Sequence, residues 1–195
     1  SDPVHPVLIE KKFATTQNPY HFDVSGGLSP NGFVALKGAG SNLFAVGGDI
    51  SYGEDTLYQF DTTLPSDPIL INTLKLAGPI KDIEVHDNLL YVSSIEGVSI
   101  YQITAAKQLQ KLTTIDRISL QGTPYALSVV GDSLWVALTD SRRIIEVELV
   151  SGEYRIVRNF STVDTGGNRF KPRDILIKDN LILVSSGSNG SVVLY

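Results

Sequence analysis

Three carboxylates, Asp49, Glu54 and Asp55, gather in one short glycine-bearing segment, Gly47-Gly48-Asp49-Ile50-Ser51-Tyr52-Gly53-Glu54-Asp55. Hard cations such as Ca²⁺ take oxygen ligands of this kind, and the glycines let the backbone fold around an ion. The segment lacks the alternating D-x-[DN]-x-[DN]-G order that wraps Ca²⁺ in its best-known loop, so a solvated acidic turn is the competing reading. No other cofactor is expected. A second segment, Asp164-Thr165-Gly166-Gly167-Asn168-Arg169-Phe170-Lys171-Pro172-Arg173, is basic and carries an aromatic residue. Guanidinium groups beside an aromatic ring can grip a carboxylate, a sulfate or a sugar, and the rival reading is a connector whose Phe170 plugs the core. Its glycines match no phosphate-binding fingerprint.

Other chemistries lack their residues. With 0 Cys there is neither a thiolate nucleophile nor a disulfide framework. His5, His21 and His86 are scattered, with no pair at zinc-ligand spacing. No serine stands in G-x-S-x-G, so a nucleophile elbow is missing. Asp82 and Asp174 recur at one place in a repeat, which argues for a structural task such as accepting hydrogen bonds from neighbouring backbone.

The elements that position these residues read as strands. The best helical stretch, Thr104 to Leu112, offers only about two turns. Elsewhere short runs of Val, Ile, Leu, Tyr and Phe alternate with Gly, Asn, Asp, Ser and Pro. Asp82-Ile-Glu-Val-His-Asp-Asn-Leu-Leu-Tyr-Val-Ser-Ser94 matches Asp174-Ile-Leu-Ile-Lys-Asp-Asn-Leu-Ile-Leu-Val-Ser-Ser186 at a spacing of 92 residues. Ala126 to Ala137 falls between them, 44 residues after the first, and Asn42 to Gly48 aligns with Asn88 to Ser94 at 46. A period of 44–48 residues with about four short strands per unit predicts an all-β propeller of about four blades. The repeat units run roughly 28–76, 77–118, 119–162, and 163–195 plus 4–14, in one domain spanning 1–195. Val7 to Phe13, similar to Ile69 to Lys75, is expected to pair beside Ser191 to Tyr195 and close the last blade. The alternative is an arc of a larger propeller, which would favour self-association.

Loops on such a scaffold gather on one face around the channel mouth. This assigns ligand binding to Tyr52, Lys81, Tyr125, Arg142, Arg169, Arg173 and Asn189, and leaves Asp49, Glu54 and Asp55 as the metal candidates. Charge bounds the partners. Residues 1–100 hold 5 Lys/Arg against 12 Asp/Glu and residues 101–195 hold 11 against 9, which gives −7 and +2 and sums to the net −5. Basic residues interleaved with acids do not make a nucleic-acid stripe. No apolar run approaches the roughly 18 residues of a helical membrane span. A chain beginning Ser1-Asp2-Pro3 with 0 Met reads as a processed product.

Leu57-Tyr58-Gln59-Phe60-Asp61, Leu64-Pro65-Ser66-Asp67-Pro68, Gly78-Pro79-Ile80-Lys81-Asp82-Ile83-Glu84-Val85 and Leu89-Leu90-Tyr91-Val92 resemble the LVIVD-type and YVTN-type β-propeller repeats of bacterial and archaeal surface proteins. The resemblance covers most of the chain and is loosest in the third unit, where Ala126 stands at the Asp82 position. It implies an exported protein, secreted, periplasmic or at the cell surface, without a shared catalytic set. The function expected is therefore a non-catalytic binding module for a protein or glycan partner. The alternative is a hydrolase or lactonase-like propeller with a metal at the channel mouth.

Overall fold

A computed structural model describes residues 33–49, 54–150, 153–164, 166–178, 181–186 and 192–194. The expected strand Val7 to Phe13 lies outside them, as do Tyr52 and Asn189. The described chain forms fifteen β-strands in four antiparallel meanders. The first sheet holds β1 (Phe33–Ala39), β2 (Asn42–Asp49), β3 (Glu54–Asp61) and β4 (Ile69–Ala77). The second holds β5 (Ile80–His86), β6 (Leu89–Ser94), β7 (Gly97–Ile103) and β8 (Leu109–Asp116). β9 (Pro124–Val130), β10 (Ser133–Leu138), β11 (Arg143–Val150) and β12 (Glu153–Ser161) make the third. β13 (Pro172–Lys178), β14 (Leu181–Ser186) and β15 (Val192–Leu194) make the fourth. Among the described residues no strand pairing joins one sheet to another.

Local chemistry explains the meanders. In the first three sheets the first hairpin turns through two residues, and Gly40, Asp87 and Gly131 take the left-handed conformation there, φ +57°, +52° and +58°. Glycine enters that region freely and Asp is among the residues that tolerate it, so the primed turn matches the twist of the strands. Gly97 opens β7 at φ +142°, where a Cβ would lie 2.2 Å from the Ile115 carbonyl oxygen, so no other residue fits. The helical stretch at Thr104 to Leu112 resolves instead into a turn and the start of β8. Thr104 closes that turn by accepting Lys107 N–H on its carbonyl and Gln108 N–H on its hydroxyl, a local bond that competes with helix.

The core is three apolar slabs between successive sheets. Phe44, Val46 and Leu57 meet Ile83, Leu90 and Tyr101 between the first and second. Tyr91, Ile100 and Leu120 meet Leu127, Val136 and Val147 between the second and third. Trp135, Ala137 and Ile144 meet Ile175, Ile182 and Val184 between the third and fourth. A strand such as β10 is buried on both faces, hence its run Leu134-Trp135-Val136-Ala137-Leu138. The outer strand β12 faces water on alternate residues.

Register corrects the first repeat interval. The residues that follow the hairpin turns are Asn42, Leu89, Ser133 and Leu181, paired with Ala39, His86, Val130 and Lys178. Their spacings are 47, 44 and 48 residues. Asn42 therefore occupies the place of Leu89 and not of Asn88. A slip of one residue in a strand exchanges its faces. Phe44 consequently corresponds to Tyr91 and Trp135, the residues that face the following sheet. Asp82 corresponds to Ala35, Ala126 and Asp174.

Candidate functional site

Each sheet begins with the same irregularity. The register of the first strand shifts between Phe33 and Ala35, Ile80 and Asp82, Pro124 and Ala126, and Pro172 and Asp174. One residue is extra each time: Val34, Lys81, Tyr125 and Arg173. A bulge of this kind re-aims the extra side chain. Three of the residues assigned to ligand binding are thus one structural position repeated.

Tyr125 and Arg173 meet across the boundary of the third and fourth sheets, the Arg173 guanidinium carbon 4.6 Å from the Tyr125 ring centroid. That is cation–π contact. The turn between β10 and β11 and the segment between β12 and β13 lie beside them. The Thr139 hydroxyl donates to the Pro172 carbonyl at 3.2 Å, and an Arg169 N–H donates to the Ser141 carbonyl at 3.0 Å. Arg142, exposed and at φ +54°, follows Ser141 directly.

The backbone of this corner is tied to itself. Asp164 Oδ1 accepts the Gly166 and Asn168 N–H groups at 2.9 and 2.8 Å, which folds the glycine-bearing segment into a compact turn. These bonds, that of Asn168 first, hold the Asp164 carboxyl below its ordinary range. Thr162 and Phe170 exchange bonds across the base of the segment, and Phe170 packs on the third apolar slab. On the adjacent turn, partial burial pushes the Asp140 carboxyl up, but the Thr123 N–H and hydroxyl outweigh it and leave Asp140 lowered. Both acids are spent on the backbone. Among the described residues none of Arg142, Arg169 and Arg173 has a carboxylate within ion-pair distance.

The other assigned residues fall elsewhere. Lys81 stays at the head of the second sheet, half-buried, and the cation over the Tyr125 ring is Arg173. Asp49 and Glu54 face one another in the β2–β3 backbone register. Asp55 is buried, and its carboxylate accepts the Ile80 N–H, tying the first sheet to the second. Among the described residues no group of three or more His, Cys, Asp or Glu is placed to hold a metal ion.

A second charged cluster was not anticipated from the residues. Lys37 on β1 bridges Glu84 on β5 at 2.6 Å. Burial draws the Lys37 ammonium down, but the bond and charge of Glu84, with the charges of Asp82 and Asp174 added, leave it raised. The first strands of three sheets thus turn charge toward one another. Asp82 Oδ2 accepts the Leu127 N–H of the next sheet and Oδ1 accepts the Ile83 N–H, each at 2.8 Å. Burial pushes the Asp82 carboxyl up to about 6 against these bonds and the Lys37 charge. The signal for the Lys37–Glu84 pair was the 47-residue spacing, which sets the two residues at one place in the repeat.

No protein-family model matches the chain, and no curated protein matches it. Solved structures do. The crystal structure of the computationally designed Ika4 protein is similar at a TM-score of 0.60 and 17% identity, over 88% of this chain and 93% of that one. The computationally designed Ika8 protein is similar at a TM-score of 0.57 and 15% identity, over 84% of this chain and 45% of that one. At these identities the likeness shows the fold alone.

Proposed function

We propose that the chain is a four-bladed β-propeller acting as a non-catalytic binding module, exported or at the cell surface, whose loop end grips a carboxylate-bearing partner, protein or glycan. The observation that carries this reading is the corner of the third and fourth sheets. Arg173 lies over Tyr125, and Arg142 and Arg169 stand beside them with no acidic partner among the described residues. A guanidinium held against a ring keeps its N–H edge for a planar anion, and an anchored one loses less freedom on binding. The ring form has support in the serial packing of the four sheets and in the shared charge around Lys37. The exported setting rests on the resemblance to LVIVD-type and YVTN-type repeats.

Poly-L-glutamate and polygalacturonate, titrated with neutral dextran as control, test the reading. The protein is expected to bind a polyanion, to bind more weakly as salt is raised, and to ignore dextran. Arg173→Ala and Arg142→Ala should each weaken binding about 10-fold or more, the loss of one charge-assisted bond. Binding of neither polyanion, or equal binding by both variants, overturns it.

A further inference from the structure

We propose that Asp174 is a latch that docks the fourth sheet onto the open face of the first sheet of the same chain, through the backbone N–H of Leu36. The proposal rests on the ring reading above and names the contact that closes it.

Asp82 shows what the latch looks like when made. One carboxylate oxygen caps the N–H of its own following residue, Ile83, and the other reaches Leu127 N–H on the next sheet, both at 2.8 Å. Asp174 occupies the same place, after the same bulge and opposite Ser185 as Asp82 is opposite Ser93. Its Oδ1 accepts the Ile175 N–H at 2.8 Å, the same first half of the device. Among the described residues its Oδ2 has no hydrogen-bond partner, and Asp174 is exposed. The corrected register names the missing donor. Leu36, paired with Ala45, stands where Leu127, paired with Val136, stands in the third sheet.

Two further observations mark the boundary that this contact would close. Residues at the Leu36 position are otherwise core: Ile83 is 0% exposed, Leu127 2% and Ile175 5%, whereas Leu36 is 54% exposed. Leu176, two residues beyond Asp174 on the same face of its strand, is also 54% exposed. An apolar residue is thus left open on each side of the boundary that Asp174 would bridge. Charge is complementary as well, because Lys37, adjacent to Leu36, already draws on Asp174.

A chain with 0 Cys permits a clean test by introduced pairs. Leu36→Cys with Asp174→Cys is the test variant. Asp82→Cys with Leu127→Cys is the control, since a 2.8 Å bond from the Leu127 N–H to the Asp82 carboxylate already holds those residues side by side. Both variants lose one aspartate at the same repeat position, and the control, which also gives up the buried Leu127, is the more demanding of the two on folding. Under mild oxidation the test variant is expected to form a disulfide within one chain, as the control does. If the control closes and the test pair is linked only by a long flexible bismaleimide, the latch is wrong and the ring stands. If neither reagent links the test pair, or the product is a covalent dimer, the latch and the closed ring both fall.

Discussion

Asp82 concentrates the energetics of a single residue. Its carboxyl, pushed up to about 6 mainly by burial, holds its proton more tightly in the folded chain than at its ordinary value of 3.8. The folded state is therefore favoured below that window and loses stability as pH rises from about 4 to about 6, by at most about 3 kcal/mol at about 1.4 kcal/mol per unit. Asp82→Asn removes this titration but leaves one of two N–H groups without its oxygen, a pH-independent cost of about 1–3 kcal/mol. Chemical denaturation at pH 4 and pH 7 should show the natural chain losing stability relative to Asp82→Asn across the interval. A constant difference would show that Asp82 does not titrate there. Asp55 does a related task, tying Ile80 N–H from the preceding sheet, though its place beside Asp49 and Glu54 suggested a metal ligand. Sequence proximity brought those acids together, whereas the fold turned one of them into the interior.

At the scale of the element, most of the strand pattern was legible. Two-residue turns, alternating outer strands and doubly apolar inner ones each have a compositional signature. The bulges did not, because an extra residue in a strand shows only in its pairing. That is why Lys81, Tyr125 and Arg173 were picked out singly as loop residues and not as one recurring position. The register of the first sheet escapes the sequence for a similar reason: aligning Asn42 with Asn88 matches a letter, whereas the hairpins set Asn42 against Leu89. Trp135 on β10, the single Trp of the chain, stacks on Phe160 of β12 with ring centroids 6.1 Å apart and planes at 20°. Phe160→Ala should cost about 1–3 kcal/mol, less than a fully buried phenylalanine because Phe160 is half-buried. It should also shift Trp135 emission to the red in the native state, measured by fluorescence. Unchanged emission would show that the ring contact does not shield the indole.

The whole molecule is a series of neighbours. Three apolar slabs separate four sheets, so a change in one slab is felt chiefly by the two sheets that share it. Phe44→Leu lies between the first and second sheets and Ile182→Val between the third and fourth. Their costs should add within about 0.5 kcal/mol in a denaturant double-mutant cycle. Strong coupling would mean that strain passes through the intervening sheets. The same serial order separates function from stability. The arginine corner caps the third slab, on which Tyr125 and Phe170 pack, but Arg142, Arg169 and Arg173 are themselves exposed, so the guanidinium side chains can change without opening the core.

The sequence by itself determined the class of structure, since strand periodicity, turn residues and a repeat of 44–48 residues are local properties of the chain. It also determined which residues could carry charge at the loop end. Tertiary structure alone decided which of them meet: Tyr125 and Arg173, 48 residues apart, touch. It decided too that Lys37 finds Glu84 and that Asp82 spends its charge on the next sheet's backbone. The physical reason is that a strand offers its side chains to two faces in strict alternation, so partnership depends on register and on which sheet lies opposite. Neither is fixed until the sheets pack.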